Sequence, residues 1–203
     1  MKPTNFIVIA FLSVCLCSCA QYALNYTHKL ARPATGTNPK ELTYTDSIIK
    51  ASFAFTDNYS RLSVSVTNLS PDAPLYVLKD QCVMIVNKSS KQLCSLSPQR
   101  ADCETTHPPL LVPPNASYTD VVTPIDNIHF EKEKDRYTHL ETTTWKAYPL
   151  MAITCGANDE DMLAAKQKAQ DSPISYVLSF SYKGVTYQRT FEFEVDSIRA
   201  KEI

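Results

Sequence analysis

The sequence predicts an all-β fold, an antiparallel β-sandwich with one short helix, and three observations carry that prediction. First, Ile174, Tyr176, Leu178, Phe180 and Tyr182 alternate with Ser175, Ser179 and Ser181. Second, Val185, Tyr187, Phe191, Phe193 and Val195 alternate with Thr186, Gln188, Thr190, Glu192 and Glu194. Joined by Lys183-Gly184, these period-two runs make a hairpin with one buried and one solvated face. Third, short apolar runs spaced by Pro, Asn, Asp and Ser recur along the chain, and no helical segments alternate with them.

From the N-terminus, Phe6 to Leu16 is an almost unbroken apolar stretch behind Lys2. That is the layout of a secretory signal peptide, too short to span a bilayer. The stretch closes in Leu16-Cys17-Ser18-Cys19, which resembles the lipobox of bacterial lipoproteins. The resemblance implies a signal peptide over residues 1–18, cleavage before Cys19, a diacylglycerol on its sulfur, and a fatty acyl group such as palmitate on the new amine. Ser18-Cys19-Ala20 also satisfies the small-x-small rule of ordinary signal peptidase, which would cut after Ala20 and release a soluble secreted protein. Residues 19–42 are polar, interrupted by Pro33, Gly36 and Pro39, and read as a flexible lipid-anchored tether. The β-sandwich domain is then expected over residues 43–203.

Within that domain, Ile49, Ala51, Phe53 and Phe55 alternate, as do Leu62, Val64 and Val66, and Asn68 to Pro74 reads as a turn. Leu75 to Leu78 and Cys82 to Val86 are apolar on both sides, as expected for interior strands. Pro113-Pro114-Asn115 ends one segment before Ser117 to Val122 begins another. Ile128 to Phe130 and Pro149 to Thr154 are further strand candidates, and Glu131 to Thr144 reads as a long charged excursion. The helix follows Asn158, a candidate cap. Asp159, Glu160 and Asp161 suit its positive end, Lys166 and Lys168 the other, and Pro173 stops it. Arg189 interrupts an apolar face, a position suited to a sheet edge.

Composition removes several function classes. The net charge is −1 with no basic run, so electrostatics gives no case for nucleic acid. No second apolar stretch approaches the roughly 20 residues of a spanning helix, leaving the lipid as the one membrane contact expected. The three glycines, Gly36, Gly156 and Gly184, lie far apart. A phosphate-cradling loop, a dinucleotide fingerprint and a Gly-x-Ser-x-Gly elbow all need clustered glycines. His28, His107, His129 and His139 show no metal-ligand spacing, and no cofactor is implied. Asp159 to Asp161 lacks the alternating oxygens of a calcium loop.

Cys82, Cys94, Cys103 and Cys155 follow the leader, and in an exported chain they suggest two disulfides with three possible pairings. Cys94 with Cys103 across a loop is preferred, with Cys82 and Cys155 clamping distant strands. A metal set of Cys94, Cys103 and His107, a His139–Cys155 thiol–imidazole pair, and simple buried thiols are the alternatives. Trp145 and Tyr148, with Tyr137 and Tyr118, come from the loop-rich middle of the chain and could stack on a glycan. Asn-x-Ser/Thr triplets at Asn25, Asn58, Asn68, Asn87 and Asn115 fit Asn- and Ser-rich turns. Asp46-Ser47-Ile48 and Asp196-Ser197-Ile198 resemble the short O-glycosylation motif of Bacteroides-type exported proteins, which implies Ser47 and Ser197 as acceptors.

Phe53-Ala-Phe, Leu62-Ser-Val-Ser-Val-Thr-Asn68-Leu-Ser, Pro74-Leu-Tyr-Val and Pro113-Pro-Asn-Ala-Ser together resemble small Bacteroides-type envelope lipoproteins with an immunoglobulin-like sandwich. The likeness spans residues 46–197. It implies an outer-membrane lipid anchor and a non-catalytic accessory or adaptor role with an envelope protein partner. A surface glycan-binding lipoprotein is the alternative from another class.

Overall fold

A computed structural model describes residues 21–33, 37–38, 41–56, 59–96, 101–103, 106–134, 136, 141–151, 153–156 and 159–202. The strands, in chain order, are β1 (Gln21–Arg32), β2 (Thr37–Asn38), β3 (Thr43–Thr45), β4 (Ile49–Thr56), β5 (Arg61–Asn68), β6 (Leu75–Val77), β7 (Val83–Val86) and β8 (Ser89–Leu96). They continue with β9 (Ala101–Asp102), β10 (Leu110–Val112), β11 (Ser117–Pro124), β12 (Ile128–Lys134), β13 (Glu141–Ala147), β14 (Thr154–Gly156), β15 (Ile174–Tyr182) and β16 (Val185–Glu202). Among the described residues one α-helix, α1, spans Asp159–Gln170. The fold is all-β and antiparallel, as the alternation predicts.

Fourteen strands form one continuous ladder in the order β14-β1-β16-β15-β7-β8-β11-β5-β4-β3-β2, with β6, β9 and β10 branching from it. The ladder folds into two layers because β8 changes partner midway. Its residues 89–92 pair with β7, and Leu93 to Ser95 pair with β11. Inward side chains of the layers then meet. Phe53 of β4 lies 4.6 Å from Phe191 and 5.2 Å from Phe193 of β16, with Tyr176 of β15 at 5.9 Å. Leu62, Val64 and Val66 from β5, Met84 from β7 and Leu178 from β15 complete the buried core. Such edge-on and tilted aromatic pairs add directional attraction to area burial.

The hairpin expected around Lys183-Gly184 forms with Tyr182 opposite Val185. Both turn residues have positive φ, 49° and 79°, as a two-residue turn matched to strand twist requires. Asn68 is wholly buried. It donates to the carbonyls of Ala73 (2.9 Å), Val112 (3.1 Å) and Pro113 (3.2 Å) and accepts from Ser70 N, so its triplet is a structural lock, not a glycan acceptor.

Three expectations need correction. Within the segment expected as a tether, residues 21–32 are instead built into the fold: β1 pairs along most of its length with β16, and Leu24, Tyr26 and Leu30 are buried. Leu24, Tyr26, His28 and Leu30 are themselves a period-two run. The excursion Glu131 to Thr144 is mostly the paired strands β12 and β13, outside the main ladder. Between Pro149 and Thr154 the backbone is largely non-strand, and β14 begins only at Thr154.

Arg189 does sit at a local edge. β1 stops at Arg32, opposite Glu192, so among the described strands β16 beyond it pairs with β15 alone. There the guanidinium lies 5.5 Å from the Tyr187 ring and reaches Asp46 at 3.3 Å. Asn158 lies outside the described residues.

Candidate functional site

Two features stand apart from the packed core: a two-stranded ribbon and a pocket between the layers. The ribbon is β12 paired with β13, from Ile128 opposite Ala147 to Lys134 opposite Glu141. Its root is fixed by backbone contacts, Tyr148 N to Asn127 O at 2.8 Å and Leu150 N to Tyr59 O at 2.9 Å. The Arg61 guanidinium of β5 covers the Trp145 ring at 4.7 Å and ties β13 to the body. Opposite Trp145, Phe130 is 66% exposed.

The other ribbon face is polar and pre-organised. Lys146 pairs with Glu131, Tyr148 donates to Glu131 at 3.5 Å, and His129 meets the Tyr148 ring edge-on at 4.4 Å. The hydrogen bond from Lys146 holds the Glu131 carboxyl below its ordinary range. Between the ribbon root and the β7–β8 turn lies an open notch of about 440 Å³, lined by Lys91, Asp126, His129 and Tyr148 among others. The ribbon therefore presents an exposed aromatic on one face and a charged notch at the root of the other.

The pocket lies where β8 crosses between layers and is small, about 40 Å³. Val64, Val66, Val77 and Leu178 give it an apolar floor. At its rim Asp120 gathers Lys79 (2.9 Å), Ser95 Oγ (2.6 Å), the Tyr118 hydroxyl (2.5 Å) and Val121 N (2.9 Å). Burial, then the bond to Asp120, pushes the Tyr118 phenol up. Burial also raises Tyr176 and Cys82, so each is held in its neutral form. A thiol kept protonated is a weak nucleophile, and Cys82 is spent on packing and weak contacts to Leu78 O and the Ser179 backbone. The network satisfies itself, which is the behaviour of a structural polar cluster.

The disulfide Cys94–Cys103 forms as expected, with Cα atoms 4.4 Å apart. It consumes both sulfurs of the alternative metal set, and His107 instead contacts Asp80. The second expected bridge does not form: Cys82 and Cys155 are both thiols. Cys155 sits on β14, opposite Tyr22 of β1, whereas Cys82 leads into β7. β1, β16 and β15 intervene in the ladder, several strand spacings of about 4.8 Å each, beyond the roughly 7 Å that a bridge tolerates.

Of the remaining candidates, Ser47 and Ser197 are both exposed. Ser197 shares a 2.7 Å hydrogen bond with Thr27, and Asp46 folds back on the amides of Ile48 (2.7 Å) and Ile49 (2.8 Å). Tyr148 is 47% exposed, whereas Trp145 is half-buried beneath Arg61. A sugar stacking on Trp145 would share that ring with the guanidinium. Tyr118 is in the pocket rim, not on the surface. Cys19, Tyr137 and His139 lie outside the described residues.

Among the described residues, no group of three or more His, Cys, Asp or Glu could hold a metal ion. No helix there is long and apolar enough to cross a membrane. Missed by sequence reading were Phe130 as an exposed anchor, Asp120 as a hub, and His28. The imidazole of His28 stacks on Phe55 at 4.4 Å, both nitrogens lack hydrogen-bond partners among the described residues, and burial lowers its pKa to about 4. No protein-family model matches the chain, and no curated protein matches it.

Proposed function

We propose that this chain is a non-catalytic, lipid-anchored cell-envelope protein that docks a protein partner through the β12–β13 ribbon. The resemblance to Bacteroides-type envelope lipoproteins with immunoglobulin-like sandwiches, and the lipobox at Cys19, support the anchor and an outer-membrane location. The observation that carries the docking role is Phe130, 66% exposed on a ribbon outside the sandwich ladder. An exposed aromatic on a paired ribbon, with the polar set Glu131, Lys146, His129 and Tyr148 on the opposite face, has the make-up of an interface anchor. Ordering is already done before binding, which lowers the entropic cost of association.

Two experiments test the reading. Intact mass of the mature protein should equal a chain starting at Cys19 plus a diacylglycerol and an acyl group. An unmodified chain starting at Gln21 contradicts the anchor. Phe130→Glu should abolish stoichiometric co-purification of the partner from detergent-solubilised envelopes while leaving the melting temperature unchanged. Retention of the partner at the wild-type ratio contradicts the ribbon.

A further inference from the structure

We infer that the sandwich is held directly against the headgroup surface of the bilayer, with its β14/α1 end facing the lipid. The inference rests on the anchor reading above and on the entry of the chain into the ladder at Gln21, two residues after Cys19. β1 begins at Gln21, opposite Gly156 of β14, and Tyr22 is already paired with both Cys155 and Glu202. Two residues of chain bridge at most about 7 Å, so the first paired residue lies within that reach of an acylated Cys19. A polar linker of twenty residues would let the body wander tens of ångströms; two residues do not.

The direction of the strands then orders the rest of the molecule by height. β16 runs away from the anchor, from Glu202 beside Tyr22 to Glu192 beside Arg32, and onward to Val185. At about 3.3 Å per residue, Val185 lies about 56 Å from Glu202 along the strand path. α1 starts three residues after Gly156 and packs on β14 and β16, burying Ala165 and Ala169. It ends shortly before Ile174, which pairs with Phe193, the partner of Leu30. The helix therefore flanks the anchor-proximal part of β1, and Leu163 in its first half is 71% exposed.

The occupant of this end is the headgroup layer, identified by the length of chain between the lipid and the first ladder pair. Asp159, Glu160 and Asp161 are exposed there, so a surface without net negative charge suits it better than an anionic one.

The test uses the acylated full-length protein in phosphatidylcholine vesicles, with nitroxide labels at Leu163→Cys or Val185→Cys in a Cys155→Ser background. Cys82 is buried and takes no label. Power saturation with a water-soluble nickel complex and with oxygen reads depth. The label at 163 should lie within about 10 Å of the phosphate plane, and the label at 185 should be fully aqueous. Inserting twelve Gly/Ser residues between Ala20 and Gln21 should make the label at 163 as aqueous as the one at 185. Equal aqueous exposure of both labels in vesicle-bound protein without the insertion overturns the inference and leaves the anchor intact. Failure of the protein to sediment with vesicles, with a mass starting at Gln21, overturns both.

Discussion

Phe53 and Phe130 are the same residue on the same kind of strand, and their surroundings differ completely. Phe53 on β4 is 4% exposed, wedged among Tyr176, Phe191 and Phe193 of the facing layer, whereas Phe130 on β12 is 66% exposed. The sandwich supplies a second layer; on the ribbon, Arg61 covers Trp145 while Phe130 opposite it stays open. What separates the buried ring from the exposed one here is the presence of that second layer, not residue type or strand pairing.

The largest expected effect is in the core. Phe53→Ala should lower unfolding free energy by about 3–5 kcal/mol in chemical denaturation, since it removes a buried ring and leaves a cavity. Next comes the polar hub between the layers. Asp120→Ala strands the half-buried Lys79 ammonium and orphans Tyr118 and Ser95, and should cost about 3 kcal/mol. A cost near zero would mean that water replaces the carboxylate readily.

Acid should find the aromatic cluster around His28. Burial sets its folded pKa at about 4, below the roughly 6.5 of the unfolded chain, so the unfolded state binds more protons between those values. Stability is then fully present above pH 6.5 and falls as pH drops toward 4, by up to about 3 kcal/mol. Tyr26 and Tyr59 flank the ring and supply no countercharge. His28→Phe should flatten this part of the pH profile, read as the difference between denaturation curves at pH 7 and pH 4.5.

The smallest effect belongs to the ribbon. Phe130→Ala should shift stability by less than about 0.5 kcal/mol. A loss comparable to that of Phe53→Ala would mean that Phe130 packs on the body, and the contrast would collapse.

The sandwich was legible wherever one face of a strand is buried and the other solvated. Ile174 to Tyr182, Val185 to Val195 and Leu62 to Val66 each write their burial as a period of two. β1 writes the same period in Leu24, Tyr26, His28 and Leu30, but two polar-capable rings and the flanking Thr27, Lys29 and Arg32 dilute it. Its partner also signals it: the last part of β16, through Glu202, is too far from the hairpin turn for β15 to pair.

The ribbon was illegible for the opposite reason. With no facing layer, Glu131 to Lys134 and Thr142 to Thr144 carry no burial alternation to read. Asp120 could not be singled out because its partners come from β8, β11 and the turn after β6, which only the fold brings together. Cys82 and Cys155 invited a bridge by count alone, and the ladder order keeps them apart.

Native-state hydrogen exchange of the acylated protein tests most directly whether the chain is ordered up to its anchor. Amides of Leu24, Tyr26 and Leu30 that pair within the ladder should exchange as slowly as those of β15 and β16. Exchange of the same amides at the rate of an unprotected peptide, with β15 and β16 still protected, would contradict the account.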